Sequence, residues 1–223
     1  MTNNAKLSII AVSVAALVMA TILITSGGDD SSQSTGAEPT ANASSTGADV
    51  IRPNTQILQE GSSDVTVVEF LDFECEACRA LFPIMEQLRE EYDGEVTFAI
   101  RYFPIESHFN AKTAALAVEA ASKQGALEEM YIKMYETQSE WSEQQTSKRD
   151  LFISFADDLG LDVDQFTKDL DDPKTAKRVE FDQKEGESLG VSGTPTLFLN
   201  GQPFQAGPFD QMKAEIDAAL EGS

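Results

Sequence analysis

Cys75 and Cys78 are the only cysteines among 223 residues, and two residues separate them in Phe73-Glu74-Cys75-Glu76-Ala77-Cys78. A thiolate at the first position can attack a disulfide, and a thiol two residues on can resolve the mixed disulfide that forms. The pair follows an apolar run, Val65 to Leu71, and precedes a helix-like stretch from Arg79 to Tyr92. A C-x-x-C at a strand-to-helix junction has the spacing of a redox pair. Unpaired backbone N–H groups and the dipole of a helix start favour thiolate over thiol. Cys75 is therefore the expected nucleophile, and Cys78, one turn into the helix, the less exposed resolving thiol. Two other uses compete. Zinc needs four ligands, and with no third cysteine and His108 as the only histidine no metal is expected. A purely structural disulfide over so short a loop would restrain little of the unfolded chain.

The neighbouring charges bear on that thiolate. Glu74 and Glu76 flank Cys75 and disfavour its ionisation by like-charge repulsion. Arg79, four residues on, is expected to offset this in part along the helix face. Glu76 also has a plainer reading, a solvated acid favourable to the dipole at a helix start. Glu69 sits inside the apolar run, where a buried carboxylate is costly and tends to keep its proton. Such a group near a dithiol can relay a proton as Cys78 becomes nucleophile or leaving group; the alternative is an exposed side chain on a half-covered strand. His108 has a helix-entry or packing reading and a redox reading. Trp141 belongs either to a core or to a substrate groove.

These residues need elements to hold them. Thr55 to Leu58 is a short first strand, Val65 to Leu71 a buried central one, and Glu95 to Phe103 a third, ended by Pro104. The helix after Cys75 carries Leu81, Met85 and Leu88 at helical spacing, with Pro83 inside it. From Asn110 to about Leu189 the period is helical, with stripes such as Ala114, Ala115, Val118 and Ala121, or Met130, Tyr131, Met134 and Tyr135, which form core. Strand character returns at Thr196 to Leu199. Asn200-Gly201 is a hairpin turn signal, and a helix from about Phe209 to Leu220 closes the chain.

The N-terminus suggests an address. Residues 1–6 carry one cation, and Leu7 to Thr25 is an uncharged run of bilayer-spanning length. Its length and the lack of an Ala-x-Ala predict an uncleaved signal-anchor over 7–25 rather than a cleaved signal peptide. Lys6 on one side and Asp29-Asp30 on the other predict a single-pass cell-membrane protein with its catalytic body on the extracytoplasmic side, where disulfides persist. Residues 26–52, rich in Ser, Thr, Gly and Ala, are expected to be a disordered linker. The net charge of −22 excludes nucleic acid and anionic lipid as partners of the body.

Several separated motifs together resemble one family. Val68-Glu69-Phe70 followed by Phe73-x-Cys75-x-x-Cys78 is similar to the active-site strand and helix of DsbA-like thiol–disulfide oxidoreductases. Arg101-x-Phe103-Pro104 with His108, Ala111, Ala114 and Ala115 resembles the entry to that family's helical insertion. Gly190 to Thr196 resembles its loop before the third core strand. The resemblance implies an α/β, thioredoxin-like fold over 53–223 with an inserted α-helical domain at about 106–189. It implies a redox-active Cys75–Cys78 disulfide with no further cofactor, and an acid at the position of Glu69. It also implies a cis Pro195 packed against the cysteines, with Thr194 offering its backbone to an extended substrate; an ordinary turn is the alternative. The implied partners are unfolded exported polypeptides and a membrane quinone-linked thiol oxidase of the DsbB or vitamin K epoxide reductase type, with the chain itself a monomer. Strongly oxidising members carry Pro-His between their cysteines, where this chain has Glu76-Ala77, so a weaker oxidant is expected. The function implied is introduction of disulfides into exported proteins. A reductase or isomerase of the same fold is the alternative, and a non-catalytic chaperone or scaffold a more distant one.

Overall fold

The apolar run after residue 64 forms the middle of a five-stranded sheet. In the computed structural model, which describes residues 47–223, the first elements are β1 (Gln56–Gln59), β2 (Thr66–Leu71), α1 (Glu76–Glu91) and β3 (Thr97–Tyr102). A helical block follows: α2 (Ala111–Ser122), α3 (Leu127–Trp141), α4 (Arg149–Asp158), α5 (Val163–Leu170) and α6 (Pro173–Ser188). The chain then makes the hairpin β4 (Thr196–Leu199) and β5 (Gln202–Phe204) and ends on α7 (Phe209–Glu221). The strand order is β1-β3-β2-β4-β5; β2 and β3 run parallel and the other pairs antiparallel. This is the thioredoxin-like α/β fold with a helical insertion that the sequence predicts.

β2 is covered on both faces, as its unbroken apolar character requires. Side chains alternate along it. Val67 joins a core layer with Leu81, Met85 and Leu88 of α1 and Met212 and Ile216 of α7. Val68 and Phe70 face the other way, among Ala99, Phe103, Val191 and Phe198. Leu71 and Phe73 lead into the core of the insertion, with Tyr131, Tyr135, Trp141 and Phe152. Trp141 is fully buried, edge-on to Phe152 at 5.0 Å, so it belongs to the core and not to a groove.

A buried cation ties α6 to the sheet. Arg101 on β3 is fully buried; it pairs with Asp182 through Nε and donates through Nη2 to Glu185 at 2.7 Å and through Nη1 to the Val50 carbonyl at 2.9 Å. Asp182 also accepts from the Tyr102 N–H and pairs with Arg178. Gly186 permits the approach: a Cβ there would meet the rings of Phe103 and Phe70 at 2.9–3.0 Å.

The hairpin turn has Asn200 at φ 50° and Gly201 at φ 72°, the left-handed pair that a two-residue turn asks for. The Asn200 Oδ1 accepts from the Thr66 N–H at 2.8 Å, locking the turn to β2. The expected linker ends earlier than residue 52. Val50 is buried in the sheet core, Ala48 N–H donates to the Gly201 carbonyl at 2.8 Å, and Arg52 pairs with Glu185. The apolar Val50 and Ile51 supply surface that the Ser- and Thr-rich composition upstream lacks. Segment 7–25, the expected signal-anchor, lies outside the described residues. Among the described residues no helix is long and apolar enough to cross a membrane.

Candidate active site

Cys75 is the N-cap of α1, extended at φ −73° and ψ 123°, with its own carbonyl accepting from the Arg79 N–H at 3.1 Å. It is half-buried, and Cys78 is buried. The cap position aims the free N–H groups of the first turn at the Cys75 sulfur. The Cys78 thiol, together with the N–H groups of Cys78 and Ala77, outweighs partial burial and draws the Cys75 thiol down to about 5. Cys78 is pushed the other way, far above the usual thiol range, by burial first and then by the neighbouring Cys75 and Glu69. One cysteine is thus a thiolate at neutral pH and the other a thiol.

Glu69 lies at the centre of β2, opposite Ile100 of β3 and Leu197 of β4. Only 3% of it is exposed, so the half-covered reading does not apply. Burial, and then the charges of Cys75 and Glu86, push its carboxyl up to about 8. Thr194 and Pro195 close the other side of the site. Their peptide is cis, and the Thr194 carbonyl oxygen lies 3.5 Å from the Cys75 sulfur.

The structure adds residues that the sequence reading passed over. Asp72, in the turn between β2 and α1, is 1% exposed and accepts from three donors: Glu74 N–H at 2.8 Å, Ile105 N–H at 3.0 Å and His108 Nδ1 at 2.6 Å. Glu74, expected only as a charge flanking Cys75, has a structural role. It is buried, and its carboxylate accepts from the N–H groups of Asn110 at 2.6 Å and Glu143 at 3.1 Å, joining the cysteine turn to both ends of the α2–α3 unit. Gln138 of α3 is fully buried, and its Nε2 donates to the carbonyls of Phe73 at 2.7 Å and Cys75 at 2.9 Å. A glutamine on the apolar Tyr131–Tyr135 stripe was the one visible sign of it; Asp72 carried none.

Glu76 and Ala77 are exposed at the first turn of α1. So is Arg79, which takes part in no ion pair among the described residues. The offset expected of Arg79 is therefore supplied instead by backbone N–H groups and Cys78. His108 stands across a cleft of about 460 Å³ from Cys75, Glu76 and Ala77, with Phe109, itself 51% exposed, beside it. Among the described residues no cluster of three or more His, Cys, Asp and Glu side chains is arranged to hold a metal ion.

A thiolate at a helix N-cap, a buried thiol one turn later and a cis-proline loop over both make up the geometry to be compared. The family model described as Thioredoxin matches residues 54–218. The chain belongs to the thioredoxin family. A thioredoxin-like oxidoreductase from Silicibacter pomeroyi DSS-3 superposes with a TM-score of 0.67 at 26% identity, over 82% of this chain and 100% of that one. The alpha-DsbA1 of Wolbachia pipientis shares the fold, with a TM-score of 0.67 at 18% identity over 75% of this chain and 92% of its own. Its fold is thus shared with a thioredoxin-like oxidoreductase and, at lower identity, with a DsbA protein.

The curated relatives correct one expectation. A protein from Herminiimonas arsenicoxydans, named as a Na(+)/H(+) antiporter, is 32% identical over 161 residues, which are 72% of this chain and 24% of that protein. The chain spans about a quarter of the length of the curated relatives it matches. Their names point to a different kind of membrane protein from a single-pass, extracytoplasmic one, and no described helix is fit to span a bilayer. The expected localisation is therefore withdrawn. The Lys6 to Asp30 pattern on which it rested belongs to residues that are not described, and the matched body carries no such signal.

Proposed function

We propose that this thiol–disulfide oxidoreductase acts as an oxidase, passing the Cys75–Cys78 disulfide to thiol pairs in unfolded exported polypeptides. The observation that carries the reading is the asymmetry of the two sulfurs, Cys75 drawn down to about 5 and Cys78 held as a thiol. A site that favours the reduced pair makes its disulfide more oxidising.

In the proposed cycle a substrate thiolate attacks the accessible Cys75 sulfur. The Cys75–Cys78 bond breaks, and Cys78 leaves with the electron pair. Glu69, protonated up to about pH 8, stands by Cys78 to supply the proton its burial demands. The substrate's second thiolate then attacks its own sulfur in the mixed disulfide and expels Cys75 as a thiolate. The substrate loses two electrons and two protons; Cys78 ends with one proton and the other goes to solvent. Thr194, half-buried next to Cys75, is the backbone on which an extended substrate would pair. Regeneration falls to a quinone-linked thiol oxidase, as the DsbA-like resemblance implies.

Two measurements test the reading. Cys78→Ala should accumulate mixed disulfides through Cys75, and Cys75→Ala few, by mass spectrometry of non-reducing gel bands. Equal trapping by both variants overturns the division of roles. The potential of the pair in a glutathione buffer should fall at or above the disulfide isomerase range, about −180 mV. A value near the thioredoxin end, about −270 mV, makes the protein a reductase.

A further inference from the structure

The cleft beside Cys75 is acidic with one exception. Glu74, Glu76 and Glu143 line it, and His108 is the only lining side chain able to carry a positive charge. We propose that His108, held by Asp72, is a cation that faces Cys75 across this cleft and stabilises the thiolate left when the disulfide is reduced. It supplies from the loop before α2 what Glu76 and Ala77, between the cysteines, do not. The inference rests on the proposed reading of Cys75 as the exchanging thiolate.

The geometry fixes the ring. Asp72 is buried and anchored on both oxygens by the N–H groups of Glu74 and Ile105, so it cannot follow His108 outward. A carboxylate at 2.6 Å from Nδ1 makes that nitrogen a donor and favours a proton on the second nitrogen as well. Partial burial is the largest single influence on His108 and works against its charge, but the bond to Asp72 and the charges of Asp72, Cys75 and Glu74 together outweigh it and raise its pKa. Other ionisable groups near the ring are Glu76 and Glu143 across the cleft, and Glu106 and Lys112 on its far side, where Lys112 is already paired with Glu180. Asp72 is itself pushed up by burial, against the pull of its three donors. Those donors favour its ionised form.

Coupling between two charges is reciprocal. If His108 stabilises the Cys75 thiolate, the thiolate must stabilise the imidazolium to the same degree, and oxidation, which removes the thiolate, must release it. Between the two pKa values of His108, part of the second proton from the substrate dithiol then stays on the ring instead of reaching solvent.

The chain has a single histidine, so its ring proton resonance is unambiguous in an NMR titration. The His108 pKa should stand higher in the reduced than in the oxidised protein by about half a unit, a threefold change in proton affinity. His108→Gln, which retains a donor for Asp72, should raise the Cys75 pKa by the same half unit, about a threefold loss of thiolate in mildly acidic buffer. His108→Lys should restore most of it. Equal His108 titrations in the two redox states, or an unmoved Cys75 in His108→Gln, overturn the inference while leaving the oxidase reading intact. Alkylation in mildly acidic buffer that marks Cys78, or neither cysteine, overturns both.

Discussion

A carboxylate placed inside a buried strand loses its hydration and keeps its proton to a higher pH. Glu69 ionises at about 8 in the fold and at its ordinary 4.5 in the unfolded chain. Stability that is full below pH 4.5 is therefore lost as pH rises toward 8, to the extent of about 3 kcal/mol at pH 7. Glu69→Leu should remove this burden, leaving the protein as stable or more so at pH 7 and little changed at pH 4 by urea unfolding. Near neutral pH it should slow thiol exchange by about 10–100-fold, because Cys78 then loses the carboxyl that supplies its proton. Unchanged exchange would take Glu69 out of the proton path.

At the scale of elements, the cysteine turn is a junction held from the insertion. Glu74 grips the start of α2 and the end of α3, while Gln138 of α3 grips the carbonyls of Phe73 and Cys75. Gln138→Leu strands both carbonyls, so a loss of about 1–3 kcal/mol is expected in urea. Hydrogen exchange should quicken at residues 73–78 as well as in α3. A loss confined to α3 would show that the bonds do not order the turn. The strands, the first and last helices and the helical block as a whole were legible in the sequence, through a local period or a turn pair such as Asn200-Gly201; the division of the block into five helices was not. Also legible were the two cysteines, the acid in β2 and the Thr194-Pro195 loop, the last by resemblance. The ties were not legible. Asp72 with His108, Glu74 with Asn110, Gln138 with Cys75 and Arg101 with Asp182 join residues some 36 to 81 positions apart, and a lone polar residue announces its burial but not its partner. Arg79, expected to offset the acids in part along the helix face, is exposed on α1, and nearer backbone groups act on Cys75. The same blindness placed Val50 in the linker.

For the whole molecule, the chain carries a net charge of −22, and among the described residues the buried arginines are paired, Arg101 to Asp182 and Glu185, and Arg89 to Glu86 and Glu128. The cysteine pair is linked to the stability of this body in a way that depends on its redox state. Cys75 titrates near 5 when folded and near 9 when unfolded, but only while it is reduced. A group whose pKa is depressed by folding lends stability above its unfolded value and withdraws it as pH falls through its folded one. The reduced protein should therefore gain on the oxidised protein as pH rises from about 5 to 9, and their melting temperatures should draw apart by several degrees, each kcal/mol being worth about 2–4 °C in a chain of this size. Parallel curves in calorimetry would mean that Cys75 is no thiolate. The N-cap sulfur thus turns the body into a thermometer of its own redox state: a warm, alkaline surrounding culls the form still carrying a disulfide and spares the form that has already delivered it.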